Sequence, residues 1–261
     1  MNTEINGIQI GYEVFGQDGI PMVLIHGFGL DRSIWKTMVE GYFGDQHVIM
    51  LDLRGHGESD APAGPYSMCQ FAEDVVGLLD HLGITKAIVC GHSLGGYVAL
   101  AFTEAYPDRL AGLGLITSRA VNDTEEGRAG RYALVEKVLE RGSVVLAESL
   151  TPRLTKDKAI RKQSYEIIAN THPKGIIGSA IGMAERPDRT NQLSEINVPA
   201  LVVAGEEDQI IDLQESIHMA DCLPKGELLV IPNVGHMPML EAPDVLGEGL
   251  LTLVEWVSDS R

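Results

Sequence analysis

The chain has 261 residues, with Lys+Arg 20 against Asp+Glu 37 and a formal net charge of −17 at pH 7. Hydrophobic residues at 44% are enough for one sizeable core, and charged residues at 22% are too few for a disordered or coiled-coil chain. The acidic balance, with no Lys/Arg cluster, excludes a phosphate-tracking nucleic-acid binder and disfavours an anionic membrane surface. Cys69, Cys90 and Cys222 lie far apart without a CxxC pair, which fits a reducing compartment. No apolar run approaches the roughly 18 residues of a membrane span, and the opening MNTEINGIQI does not read as a secretory leader. The expectation is a soluble, cytoplasmic protein with no nucleic-acid or membrane partner.

In chain order, residues 3–5 and 8–14 flank Asn6-Gly7, the best type I′ turn pair, and predict a hairpin. Short apolar runs follow at 22–26, 47–51, 87–90, 113–117, 200–204 and 227–231. They are apolar on both faces, as strands covered on both sides of a parallel sheet must be. Helical patterns alternate with them. Ser67 and Gln70 are spaced as a capping box ahead of Phe71, Val75, Leu78, Leu79 and Leu82. Residues 94–106 form a second helix ended by Pro107, and 245–257 a last one. Right-handed crossovers then predict an α/β fold, a doubly wound and mostly parallel sheet with helices on both faces. Residues 121–188 break the rhythm, with helical periodicity only at 132–140, 157–169 and 174–185. A normal crossover needs far fewer residues. The expected division is therefore a core at 1–120 and 189–261, with a helical lid inserted at 121–188.

Gly91-His92-Ser93-Leu94-Gly95 matches G-x-S-x-G, a pattern whose context decides its meaning. Here the context is met, because a buried-type strand at 87–90 precedes Ser93 and a helix follows it. Such a turn lifts the hydroxyl out of the sheet while glycines relieve the crowding. A serine hydroxyl is a poor nucleophile at neutral pH and needs a base held by a third group. Of eight histidines, only His236 follows the last strand in a loop, at the carboxyl edge where open α/β sheets bind ligands. The orienting acid belongs between the serine and the histidine in chain order. Residues 200–204 run into Gly205-Glu206-Glu207-Asp208, so three carboxylates compete, with Asp212 close behind. Asp208 is favoured, with Glu207 next.

Together, His26-Gly27-Phe28-Gly29, the run from Asp52 to Ser59, Gly91–Gly96, Gly205…Asp208 and Gly235-His236 resemble the α/β-hydrolase superfamily over nearly the whole chain. The resemblance implies Asp208 as the acid and the backbone N–H groups of Phe28 and Leu94 as an oxyanion hole. Residues 182–190 are similar to the lid exit of short-chain carboxylesterases and enol-lactonases. Dehalogenases and epoxide hydrolases carry aspartate where Ser93 stands, and similar hydroxynitrile lyases carry lysine where Met237 stands. The implied activity is cleavage of small carboxylic esters by water through an acyl-enzyme, with no metal or organic cofactor. The alternatives are a lactonase of the enol-lactonase type and, from another class, a ligand sensor retaining the triad. Phe28, Leu94, Met183, Ile210 and Met237 are expected to line a small closed pocket, with Arg119 as a further candidate; Trp35, with Ile34, packs the first helix on the sheet or, as the lesser alternative, lines the pocket. Arg119 could meet a substrate carboxylate or take a local acidic partner.

Overall fold

The computed structural model describes residues 1–260. Eight strands form one sheet: β1 (Asn2–Ile5), β2 (Ile8–Phe15), β3 (Asp18–Ile25), β4 (Gln46–Leu51), β5 (Ala87–His92), β6 (Leu110–Ile116), β7 (Ala200–Gly205) and β8 (Gly226–Ile231). Their spatial order is β1-β2-β4-β3-β5-β6-β7-β8. β1, β2 and β4 pair antiparallel, and every pair from β4 to β8 is parallel. The hairpin forms at Asn6-Gly7, both with positive φ of 50° and 77°, as a type I′ turn demands.

Ten helices accompany the sheet: α1 (Lys36–Tyr42), α2 (Met68–His81), α3 (Leu94–Ala105), α4 (Glu125–Arg141), α5 (Val144–Leu154), α6 (Lys158–Asn170), α7 (Pro173–Ala184), α8 (Leu213–Cys222), α9 (Pro238–Glu241) and α10 (Pro243–Asp259). α2 starts where the sequence places it, with Ser67 Oγ accepting from the Gln70 N–H at 3.0 Å. α2 packs on α3, α1 on α10, and α8 on β7 and β8. Central strand residues such as Val23, Leu24, Val89, Cys90, Leu113 and Val202 are fully buried, which explains their lack of polar alternation.

The insertion between β6 and β7 holds four helices, α4 to α7, where periodicity gave three. The unforeseen α5 carries Pro152 near its C-terminal end, a residue that argues against helix in a sequence reading. α4 packs on α7 and α5 on α6. α7 lies close on the segment after β4. A Cβ at Gly175 would fall 1.8 Å from the Gly55 carbonyl oxygen, and one at Gly182 would fall 1.7 Å from that of Tyr66. Leu146, Ile168, Ile176 and Met183 join the apolar core of the sheet, so these helices share one core with it.

Candidate active site

The chain leaves β3 for β4 on one side and reaches β5 on the other, so the strand order reverses between β3 and β5. Crevices at such a point bind ligands beyond the carboxyl ends of the strands. Here the ends of β3 and β5 deliver His26-Gly27-Phe28 and His92-Ser93 side by side.

Ser93 has φ 51° and ψ −110°, outside the regions open to ordinary L-residues. The turn closes only because its neighbours lack side chains. A Cβ at Gly91 would sit 2.0 Å from the Gly95 carbonyl oxygen, and one at Gly95 would sit 2.3 Å from that of Ile25. The Ser93 N–H donates to Ile116 O at 2.9 Å, and Ser118 Oγ donates to Ser93 O at 2.8 Å, which pin the strained residue. Leu94 opens α3, so its N–H has no intrahelical acceptor and points from the positive end of the helix.

His236 lies in the loop between β8 and α9, with its side chain only 2% exposed. Its Nδ1 is 2.8 Å from Asp208 Oδ2. Asp208 Oδ1 in turn accepts the N–H groups of Ile210 at 2.7 Å and Ile211 at 3.2 Å, which fix the carboxylate. A carboxylate at Nδ1 requires the proton there, leaving Nε2 as an acceptor. The competing acids have other partners. Glu207 pairs with Lys156 Nζ at 2.7 Å, Asp212 caps α8 through the Gln214 N–H, and Glu206 accepts from the Asn233 N–H.

The peptide of His236 is held on every side. Its N–H donates to Leu154 O at the end of α5 at 2.7 Å, and its carbonyl accepts from His92 Nε2 at 2.8 Å and Thr117 Oγ1 at 3.2 Å. Glu241 brackets the loop, accepting the N–H groups of Gly235 and Met237 at 3.0–3.2 Å and the Thr155 hydroxyl at 2.6 Å. Nothing in the sequence marked Glu241, which acts across a turn on backbone groups.

A cavity of about 190 Å³ joins these parts, lined by Phe28, Ser93, His236, Arg119, Met183 and Ile210 among others. Larger clefts, of about 470 Å³ around Arg32 and about 540 Å³ beside Gln192, hold no serine–histidine pair. Three expectations for the wall need correction. Trp35 is fully buried in a T-shaped contact with the His92 ring, 6.4 Å between centroids, and packs behind the site. Met237 and Leu94 also turn their side chains into the core, leaving only backbone groups near the loop and turn. Sequence reasoning missed Leu150, Arg153 and Leu154 because it missed α5. Arg119 takes local partners, donating to Ile210 O at 2.6 Å and lying 3.1 Å from Glu215. Burial pushes the Glu215 carboxyl above its usual range, with Arg119 opposing. Among the described residues no cluster of His, Cys, Asp and Glu is arranged to hold a metal ion, and no helix is long and apolar enough to cross a membrane.

The other buried histidines are structural. His26 accepts the Leu53 N–H at Nε2, and His56 accepts that of Gly29, while each Nδ1 faces a backbone carbonyl. Burial lowers His26, lowers His56 to about 3 and lowers His92 well below the ordinary value. The folded state thus refuses protons that an unfolded chain accepts near pH 6.5, so this stability is present above about pH 7 and is lost as pH falls through 6.5. His56 contributes about 2 kcal/mol of loss at pH 5, and His92 acts in the same direction. Asp52 acts in the opposite sense at lower pH, since burial raises its carboxyl. Urea midpoints should fall from pH 7.5 to pH 5, and His56→Gln should flatten the slope. Equal midpoints at the two pH values would refute this account.

The family model for the alpha/beta hydrolase fold matches residues 20–243, and the chain belongs to that family. Hydrolases are prominent among the proteins it resembles, enol-lactonases and an esterase among them. A thermophilic esterase from Thermogutta terrifontis, solved with malate bound, superposes with a TM-score of 0.93 at 37% identity, covering 98% of this chain and 97% of that one. The 3-oxoadipate enol-lactonase 2 of Acinetobacter baylyi is 29% identical over 93% of this chain and 92% of its own length. The dihydrolipoyllysine-residue acetyltransferase component of the acetoin cleaving system of Pseudomonas putida is 32% identical over 93% of this chain, which spans only 65% of that relative.

Proposed function

We propose that the protein is a serine hydrolase of small carboxylic esters, working through an acyl-enzyme. The observation that carries this reading is the His236–Asp208 contact of 2.8 Å beside a cavity that Ser93 and His236 both line. His236 Nε2 takes the Ser93 proton as Oγ attacks the ester carbonyl, and Asp208 steadies the imidazolium that forms. The N–H groups of Phe28 and Leu94 hold the oxyanion, each donor contributing about 2.7–4 kcal/mol to the barrier reduction. His236 then protonates the departing alcohol, and water repeats the sequence on the acyl group. The helices at 121–188 act as the lid, roofing the strand ends with Leu150, Leu154 and Met183. A lactonase of the enol-lactonase type uses the same parts, differing only in that the leaving alcohol stays tethered. The relative from Acinetobacter baylyi favours that second reading.

Substrate size tests the reading. A cavity of about 190 Å³ lies below the roughly 300–1,000 Å³ of drug-sized sites, so a short acyl chain fills it and a long one must extend beyond it. Across p-nitrophenyl esters of two to twelve acyl carbons, kcat/KM should peak at about two to four, and Met183→Ala should move the peak to longer chains by clearing the wall. A set of lactones assayed alongside decides between the two readings. A peak at eight carbons or more in the unmutated protein would mean an open groove and sink the closed-lid account.

A further inference from the structure

The cavity wall is cationic in an acidic protein. Arg119, Arg131 and Arg153 line it against one carboxylate, Asp123, although the chain carries a net charge of −17. Asp123 is already committed twice, to Arg131 Nε at 2.5 Å and to Arg186 Nη1 at 2.9 Å. Arg119 has Glu215, whereas among the described residues Arg153 donates only to a backbone carbonyl, that of Gln209, at 3.1 Å. A second groove, of about 370 Å³, runs between α4 and α5 and shares Phe28, Arg131, Leu150 and Arg153 with the cavity. Lys137 joins the two arginines in its lining, which contains no acidic residue. Three cations thus line the groove, and Arg131 and Arg153 stand where this corridor adjoins the Ser93 cavity.

We infer that this corridor selects substrates bearing a carboxylate, so that the natural ester or lactone is an anion. The inference rests on the reading of Ser93 as the nucleophile for its catalytic consequence, but binding of the anion does not require it. A guanidinium fork matches a carboxylate in two parallel hydrogen bonds, which an ammonium or a neutral donor does not reproduce. Arg153 has donors to offer because no acidic side chain occupies it, and Lys137 draws the anion inward from solvent. Asp123, held below the usual carboxylate range because Arg131 and Arg186 outweigh its burial, keeps that junction rigid without neutralising it.

The test compares monomethyl glutarate with methyl hexanoate, similar in length and differing in charge. The wild-type protein should favour the half-ester in kcat/KM by about tenfold or more. Arg153→Gln should erase most of that ratio through KM, Arg153→Lys should recover it only in part, and Lys137→Gln should lower it less. Raising NaCl from 50 to 500 mM should shrink the ratio, since the exposed Arg153 and Lys137 are screened. Lys162→Gln on the exposed side of α6 removes the same charge and should leave the ratio unchanged. Glutarate binding to Ser93→Ala by calorimetry reads the site without catalysis. Binding that Arg153→Gln abolishes supports the corridor even if neither ester is cleaved, in which case the hydrolase reading alone fails. A ratio near one in the wild type, or glutarate binding indifferent to Arg153, overturns the inference.

Discussion

Ser93→Ala is expected to lower kcat by about 10⁴–10⁶-fold, and His236→Ala by a similar factor, in steady-state assays on a short-chain ester. The size follows from the roles, because neither a hydroxyl without a base nor a base without a hydroxyl attacks a carbonyl. What survives is the contribution of the oxyanion donors and of binding, which do not depend on either side chain. The double variant should therefore be no worse than either single one, a non-additivity that separates a working pair from two unrelated defects. Folding should be retained in Ser93→Ala. Its left-handed backbone is pinned by the Ser93 N–H to Ile116 and by Ser118 to the Ser93 carbonyl, neither of which involves the hydroxyl. Retention of more than about a tenth of the rate by Ser93→Ala, with an unchanged melting curve, would end the serine-nucleophile proposal.

That prediction was within reach of the sequence because a sharp strand-to-helix turn leaves local marks. Gly91 and Gly95 are required because a Cβ at either would fall 2.0 or 2.3 Å from a backbone carbonyl oxygen, and no distant residue substitutes for them. Asn6-Gly7 was legible for the same reason, as a turn whose φ values suit those two residues. Strand interiors were equally plain, because burial on both faces removes polar residues altogether. Legibility failed where contacts are long-range. α5 carries Pro152 and draws its apolar face from packing on α6, so its periodicity is not decisive alone. With α5 unseen, Arg153 and Leu154 were unseen too, and with them the bond that ties Leu154 O to the His236 N–H. Glu241 escaped because a carboxylate accepting backbone N–H groups needs no particular neighbour in sequence. Trp35 misled in the other direction. As a pocket candidate it failed, since its ring is fully buried against His92, whereas its reading as helix packing agrees with that burial.

Asp208→Asn should cost roughly 10⁴-fold in kcat while leaving the fold and the substrate KM nearly intact. The asparagine carbonyl can still accept the N–H groups of Ile210 and Ile211 that now hold Asp208 Oδ1, so the side chain keeps its place. Its amide then faces His236 Nδ1, where Asp208 Oδ2 now lies 2.8 Å away. A donor at that point demands an acceptor, which moves the ring proton to Nε2, the atom that must take the Ser93 proton. The base is present but in the wrong tautomer, and the imidazolium that catalysis needs has lost its counter-charge within a ring environment only 2–3% exposed. Asp208→Ala should be of similar severity and add a destabilisation, since the two N–H groups lose their acceptor. Glu207→Gln serves as the contrast, because Glu207 faces Lys156 at the surface and should change kcat less than about threefold. If the damage instead follows Glu207→Gln and Asp208→Asn is mild, the carboxylate touching His236 is not the one that orients it, and the assignment fails. An intermediate check uses proton NMR. The Nδ1–H resonance that a carboxylate partner shifts strongly downfield should be present in the wild-type protein, absent in Asp208→Asn and unmoved in Glu207→Gln.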